Sequence, residues 1–263
     1  MQRRILIIDD HDDLATALDE AFVGLGHSVT TLTSREDALD IDNFDKFDLV
    51  ITDLDVNSPR SHQLNGNSAS AESSDQEHIK AFKVSAANFA RSDFEETQLK
   101  EIVATVLDYK TRHIDGKEAN QDVHEHIEFE LPSAISLMHI VLEYLMRRVE
   151  TVGVVKAEQS NLFVALDEAF VNAVKHGNKY DASKLVRIAT DVSPAEARFT
   201  IEDEGEGFDV NSIPDPLDPE NLFKTSGRGV LFIYNIMDEV VYNERGNRLT
   251  MVKRSDSKGE QLA

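Results

Sequence analysis

The chain has 263 residues, 27 basic and 49 acidic side chains and no cysteine, which leaves room for two domain-sized cores and excludes disulfides and thiolate metal sites. The formal charge of −22 is no acidic tail: residues 1–110 hold 10 basic against 22 acidic side chains and the remainder 17 against 27, so direct nucleic-acid binding is disfavoured for want of a basic face. No apolar run is long enough for a signal peptide or a membrane span, so a cytoplasmic protein with no membrane partner is expected.

Arg4–Ile8 is a short aliphatic run ending at Asp9 and Asp10, as in a buried parallel strand. Leu14, Leu18, Phe22 and Leu25 recur at helical spacing before Gly26. Ser28–Leu32 predicts a second strand, Arg35–Asp42 a helix, and Leu49–Thr52 a third strand ending at Asp53. Strand–helix–strand alternation implies a parallel α/β sheet. Residues 57–77 are polar and lack an apolar period, which predicts a flexible loop. A short helix near His78–Ser85 and a weak strand at Asn88–Ala90 follow. An amphipathic helix over Glu95–Tyr109 carries Leu99, Ile102, Val103, Val106 and Leu107.

Residues 111–124 are polar and separate a first module, 1–110, from a second, 125–254, with a tail at 255–263. In the second module Glu125–Leu131 alternates as a strand and Pro132-Ser133 leads into an apolar helix through Val149. Glu158–His176 is a second long helix, and Val186–Thr190 and Ala197–Glu202 are strands. Pro214, Pro216 and Pro219 exclude a long helix over 211–225. Val230–Met237 predicts a third helix, and two strands around Gly246-Asn247 close the module.

Chemistry-bearing residues cluster in this second module. Glu168 and Asn172 are four apart and share a helix face, where an amide oxygen suits Mg²⁺ and a carboxylate can take a proton. Asp203 ends a strand, and Gly205 and Gly207 let the backbone turn beside it. Gly227, Arg228 and Gly229 open a helix whose N–H groups suit phosphate oxygens. Each motif alone is weak, since two polar residues four apart are usually the wet face of a helix. Their order and spacing make a set that points to a nucleotide.

With these residues in place, 125–254 resemble a GHKL (Bergerat-type) ATPase domain, most closely the anti-sigma-factor serine kinases. Phe129-Glu-Leu-Pro132, Asp167-Glu168-Ala169-x-x-Asn172 through His176-Gly177, Asp203-x-Gly205-x-Gly207-Phe208-Asp209, Ser226-Gly-Arg-Gly229 and Met237-Asp-Glu-Val240 carry the likeness. The resemblance implies an α/β two-layer sandwich, Mg²⁺ on Asn172, Glu168 as general base, Asp203 against adenine, a lid over 209–225, and Thr250 supporting the adenine site. It implies ATP and Mg²⁺ as cofactors. It also implies an anti-sigma-factor antagonist and a sigma factor as partners, and leaves a homodimer and a non-catalytic, ATP-binding anti-sigma or scaffold role open. No helix pair for histidine phosphotransfer is present in the sequence, which argues against a sensor histidine kinase.

The first module resembles a response-regulator receiver, which implies a flavodoxin-like doubly wound parallel sheet. The likeness places Mg²⁺ on Asp9, Asp10 and Asp53 and makes Asp53 a phospho-acceptor addressed by a histidine kinase. Two receiver features are missing from the pattern. Ser92 stands where receivers carry Lys, with Arg91 beside it, and no fourth-strand hydroxyl has a candidate. An atypical receiver, without the lysine that would hold a phosphoryl group, is therefore expected.

Overall fold

The computed structural model describes residues 1–11, 13–39, 41, 44–59, 76–89, 94–115, 124–156, 161–210 and 228–255. Strand β1 (Arg4–Asp9) is buried from Ile5 onward because both of its faces are covered. Ile5 and Ile7 face helix α1 (Asp13–Gly24), which buries Leu14, Ala15, Leu18 and Phe22 and leaves Leu25 exposed beyond its end. Leu6 and Ile8 pack the other way, against Ala38 of helix α2 (Arg35–Leu39) and Phe47. β1 lies parallel between β2 (Ser28–Leu32) and β3 (Leu49–Pro59).

The expected pattern fails beyond Asp53. β3 does not end there but runs on to Pro59 and pairs antiparallel with β4 (Gln76–Ser85), Asp53 opposite Phe82 and Leu54 opposite Ala81. The segment expected as a short helix is thus a strand. Phe82 and Val84 are buried in alternation with Lys83 and Ser85, a period of two that backbone pairing on both sides enforces. Asn88 lies in a turn, where Phe89 N–H donates to Ala86 O at 3.0 Å, rather than in the expected strand. Of the expected 57–77 loop, 57–59 and 76–77 belong to the two strands, and 60–75 lie outside the described residues.

The antiparallel β4 means that the expected flavodoxin-like, all-parallel arrangement does not form. β4 then pairs parallel with β5 (His124–Pro132), Phe82 beside Ile127 and Val84 beside Phe129. Helix α3 (Glu96–Tyr109) lies between these strands in the chain. The two expected modules therefore share one nine-stranded sheet, in the order β2-β1-β3-β4-β5-β6-β7-β9-β8. Its later strands, β6 (Leu185–Val192), β7 (Glu196–Asp203), β8 (Glu239–Tyr242) and β9 (Arg248–Arg254), are antiparallel to their neighbours.

Helices α4 (Ile135–Val152), α5 (Leu162–Val171) and α6 (Arg228–Ile236) continue the layer begun by α1 and α3. One apolar core runs beneath that layer from Ile5 to Met251. Phe82, Phe129 and Tyr144 meet at its middle, with ring centroids 5.9–6.2 Å apart, so the β4–β5 seam is filled with aromatic side chains.

A row of charges is buried along the same seam. α3 runs into a single π turn, Lys110–Ile114, which takes up the start of the expected linker; 116–123 lie outside the described residues. Lys110 reaches both oxygens of Asp53, at 2.9 and 2.8 Å, and lies 3.6 Å from Asp115. Asp115 is 3.5 Å from Arg148 on α4, and Arg148 grips both oxygens of Glu125 on β5. Lys110, Asp115, Glu125 and Arg148 are each 5–6% exposed. A buried pair contributes little net stability, but losing one partner leaves an uncompensated charge. Arg148→Ala, which strips Glu125 of its partner, is expected to cost about 3–5 kcal/mol in denaturant unfolding. A loss below about 1 kcal/mol would show the row to be solvent-screened.

Candidate functional site

α5 buries Leu162, Ala165, Leu166, Ala169 and Phe170 against the core, which turns Glu168 to its open side. The helix then widens into a π turn, Asn172–Gly177, a local unwinding often found at functional sites. Glu168 and Asn172 both line a cavity of about 640 Å³, a volume suited to a small-molecule ligand. Asp203 and Ile201, at the end of β7, form its second wall, and Tyr242, Gly246, Asn247 and Leu249 of the β8–β9 hairpin form the third.

Three glycines bring these walls into contact. A Cβ on Gly177 would overlap the Asp203 carboxylate, and one on Gly205 would overlap Gly177 O. One on Gly229, in the first turn of α6, would overlap the Glu168 carboxylate. The helix, turn and helix-start motifs therefore touch one another. Gly207 lies at φ +77°, where a side chain is strained, and a Cβ there would also overlap Arg245 O.

Asp203 accepts the Gly205 N–H at 2.8 Å. Burial pushes its carboxyl up and that hydrogen bond draws it back, leaving a half-buried acceptor at the cavity wall. Asn172, which lines the cavity with Glu168, carries an amide oxygen of the kind that Mg²⁺ takes beside waters and phosphate oxygens.

Glu168, Asn172, Asp203, Gly205, Gly207 and Gly229 are thus brought together. Arg228 opens α6, while Gly227 and 211–225 of the expected lid lie outside the described residues, as does the Arg228 side chain. Thr250 is not brought into the cavity. Its hydroxyl meets Thr200 Oγ1 at 3.2 Å on the opposite sheet face, and the neighbouring Leu249 faces the cavity instead.

Two residues unmarked by the sequence motifs hold the site. Asn178, fully buried, donates to Ser133 Oγ at 2.6 Å and Leu185 O at 2.8 Å and accepts from Glu204 N–H at 2.8 Å. Asn247, 5% exposed, donates to Asp203 O at 2.7 Å. Asn178 directly follows the helix-ending Gly177, and that adjacency was the available signal.

The N-terminal acids do not assemble as expected. Asp9, almost fully buried, accepts backbone N–H groups of Leu14 (2.8 Å), Ala15 (2.9 Å) and His11 (3.1 Å) and so caps α1. Asp10 accepts from Asp55 N–H at 2.9 Å. Asp53 is held by Lys110, which directly follows α3. Arg91 and Ser92 lie outside the described residues. Each carboxylate has a protein partner, and among the described residues no group of three or more acids and histidines is arranged to hold a metal ion. Asp9 and Asp53 lie side by side across the β1–β3 ladder, each with its own protein partner.

Comparison with known proteins matches residues 131–253 to the histidine kinase-like ATPase domain family. Among individual relatives, the serine-protein kinase RsbW of Staphylococcus epidermidis is 28% identical over 144 residues, 51% of this chain and 89% of the relative. The serine-protein kinase RsbW of Staphylococcus aureus (strain Newman) matches at the same identity and coverage. Residues 1–130, which hold β1–β4 and most of β5, lie outside the family match. No helix among the described residues is long and apolar enough to cross a membrane.

Asp53 gives the seam a pH signature. Burial pushes its carboxyl from 3.8 up to about 6, with Lys110 drawing it part of the way back. The folded state then holds a proton that the unfolded chain has released, so this group's contribution falls as pH rises from about 4 to 6 and is level above. Asp53→Asn, which cannot titrate, is expected to gain stability relative to the parent across that window, read as the difference between two unfolding series. A constant difference would place the Asp53 carboxyl near its ordinary value.

Proposed function

We propose that this chain is an ATP-dependent protein serine kinase of the anti-sigma type, acting on a hydroxyl of an antagonist protein and also binding a sigma factor. One observation carries the reading: Glu168, Asn172 and Asp203, 35 positions apart at the extremes, converge on a single cavity closed by Gly177, Gly205 and Gly229. The match of 131–253 to histidine kinase-like ATPase domains and the serine-protein kinase relatives support it.

In this reading Asp203 accepts the exocyclic amino group of adenine against the Ile201 wall. Asn172 supplies the protein oxygen to Mg²⁺, which neutralises phosphate charge when bound. The N–H groups at the start of α6 face phosphate oxygens. Glu168 takes the proton from the incoming hydroxyl as its oxygen bonds to the γ-phosphorus, and the bond to the β-phosphate oxygen breaks to release ADP. In the N-terminal half both Asp53 oxygens lie on Lys110, the kind of cation whose absence was expected there.

Two variants test these roles. Asp203→Asn loses a charged hydrogen bond and should weaken ADP or ATP binding by about 1–3 kcal/mol in calorimetry; wild-type protein giving no heat with nucleotide would remove the reading. Glu168→Ala should bind nucleotide normally and transfer phosphate to the antagonist ~10²–10⁴-fold more slowly. Transfer at the parental rate would show that another group takes the proton.

A further inference from the structure

The peptide unit joining Asp203 to Glu204 is held at both ends. Its carbonyl oxygen accepts the Asn247 amide at 2.7 Å, and its N–H donates to the Asn178 amide oxygen at 2.8 Å. In a trans peptide these two groups point in opposite directions, so the two asparagines grip one plane from opposite sides. They come from distant parts of the chain, Asn178 from the end of the π turn and Asn247 from the β8–β9 hairpin.

Both grips are themselves anchored. Asn178 spends its two donor hydrogens on Ser133 Oγ and Leu185 O, so its oxygen can turn nowhere but toward Glu204 N–H. The Asn247 oxygen accepts from Asn243 Nδ2 at 3.0 Å, and its backbone oxygen accepts from Asp203 N–H at 3.0 Å. Beyond Asn178 the chain takes two successive left-handed residues, Lys179 (φ 58°) and Tyr180 (φ 60°). Neither is glycine, and such a turn persists only where its surroundings impose it. The wall of the cavity is thus set by two amides that do not themselves perform chemistry.

We propose that Asn178 and Asn247 are positioning residues that fix the Asp203–Glu204 peptide plane and thereby aim the Asp203 carboxylate at the amino group of the nucleobase, setting preference for adenine over guanine. This inference rests on the nucleotide-binding reading above. Its physical basis is the direction of the acceptor. Adenine offers an amino donor where guanine offers a carbonyl oxygen. A fixed carboxylate rewards the first and repels the second; a carboxylate free to rotate discriminates less.

The test is calorimetry on the full chain with ADP and GDP. Four forms are compared: wild type, Asn247→Asp, Asp203→Asn and the double variant. Asn247→Asp keeps the shape but sets an oxygen against Asp203 O. The added charge on the cavity wall weakens both nucleotides, but ADP should lose about tenfold more than GDP, so the ADP-over-GDP preference collapses. In the Asp203→Asn background the same substitution should weaken ADP and GDP to within about twofold of each other, because the carboxylate it would misdirect is already gone. Equal losses for ADP and GDP, or losses that add in full, would overturn the proposal and leave the asparagines with a general structural role. Asp203→Asn binding ADP as tightly as wild type would instead strike the underlying nucleotide reading, and the inference with it. A measurement on the wild-type chain stands if Asn247→Asp does not fold. The Glu204 N–H should resist hydrogen exchange as strongly as the β7 amides, and exchange at the rate of an open turn would overturn the grip.

Discussion

Strand β4 is the element on which the rest of the structure depends. It reverses against β3 and then runs parallel to β5, and every later strand is placed in the sheet by reference to β5. Were β4 a helix over 78–85, β3 would end as an edge and the sheet that carries the cavity would begin at an unpaired β5. The strand is held there by apolar contacts on one side only. Phe82 meets Phe129 and Tyr144 across the seam and Val84 is buried beside Phe129, while Lys83 on the other face pairs with Glu128 at 2.8 Å. Burial of these aromatic rings, about 1.5–3 kcal/mol for each side chain, is the main attraction between the two halves.

The buried charges along the same seam are chemically of another kind. Asp53, Lys110, Asp115, Arg148 and Glu125 alternate in sign, three acids with two bases. Such a row contributes register rather than net stability: it is satisfied only when α3, α4, β3 and β5 occupy one relative placement. Asp115 Oδ2 has no hydrogen-bond donor of its own, and burial pushes that carboxyl upward. The seam therefore joins an apolar attraction that is tolerant of small shifts to an ionic arrangement that is not.

What could be read from residues alone follows from how local each signal is. Glu168 and Asn172 were legible because helical spacing puts them on one side whatever packs around them, and Asp203 because a strand followed by Gly-x-Gly is a local pattern. β1, α1, α3, β6 and β7 carry uninterrupted periods and were expected within a few residues of where they lie. β4 was not legible, since its period of two is short and its partners lie in two different segments. Lys110 answers Asp53 from 57 residues away, with no spacing rule to join them. Asn178 and Asn247 act through hydrogen bonds 26 and 44 residues long in sequence. Thr250 shows how narrow the margin is within a strand: one position along β9 separates a side chain in the cavity from one on the far face.

The shared sheet also changes what the protein shows to other strands. Two separate sheets would have four open edges, each a row of unpaired N–H and C=O groups ready to accept another strand. Joining β4 to β5 leaves, among the described residues, β2 and β8 as the edges, of five and four residues. Parting the chain between 115 and 124 would bare the seven residues of β4 and seven of β5 that pair with each other, together with the aromatic side chains beneath them. The boundary that looks from composition like a place to divide the chain is the place where division would turn a closed surface into two adhesive ones.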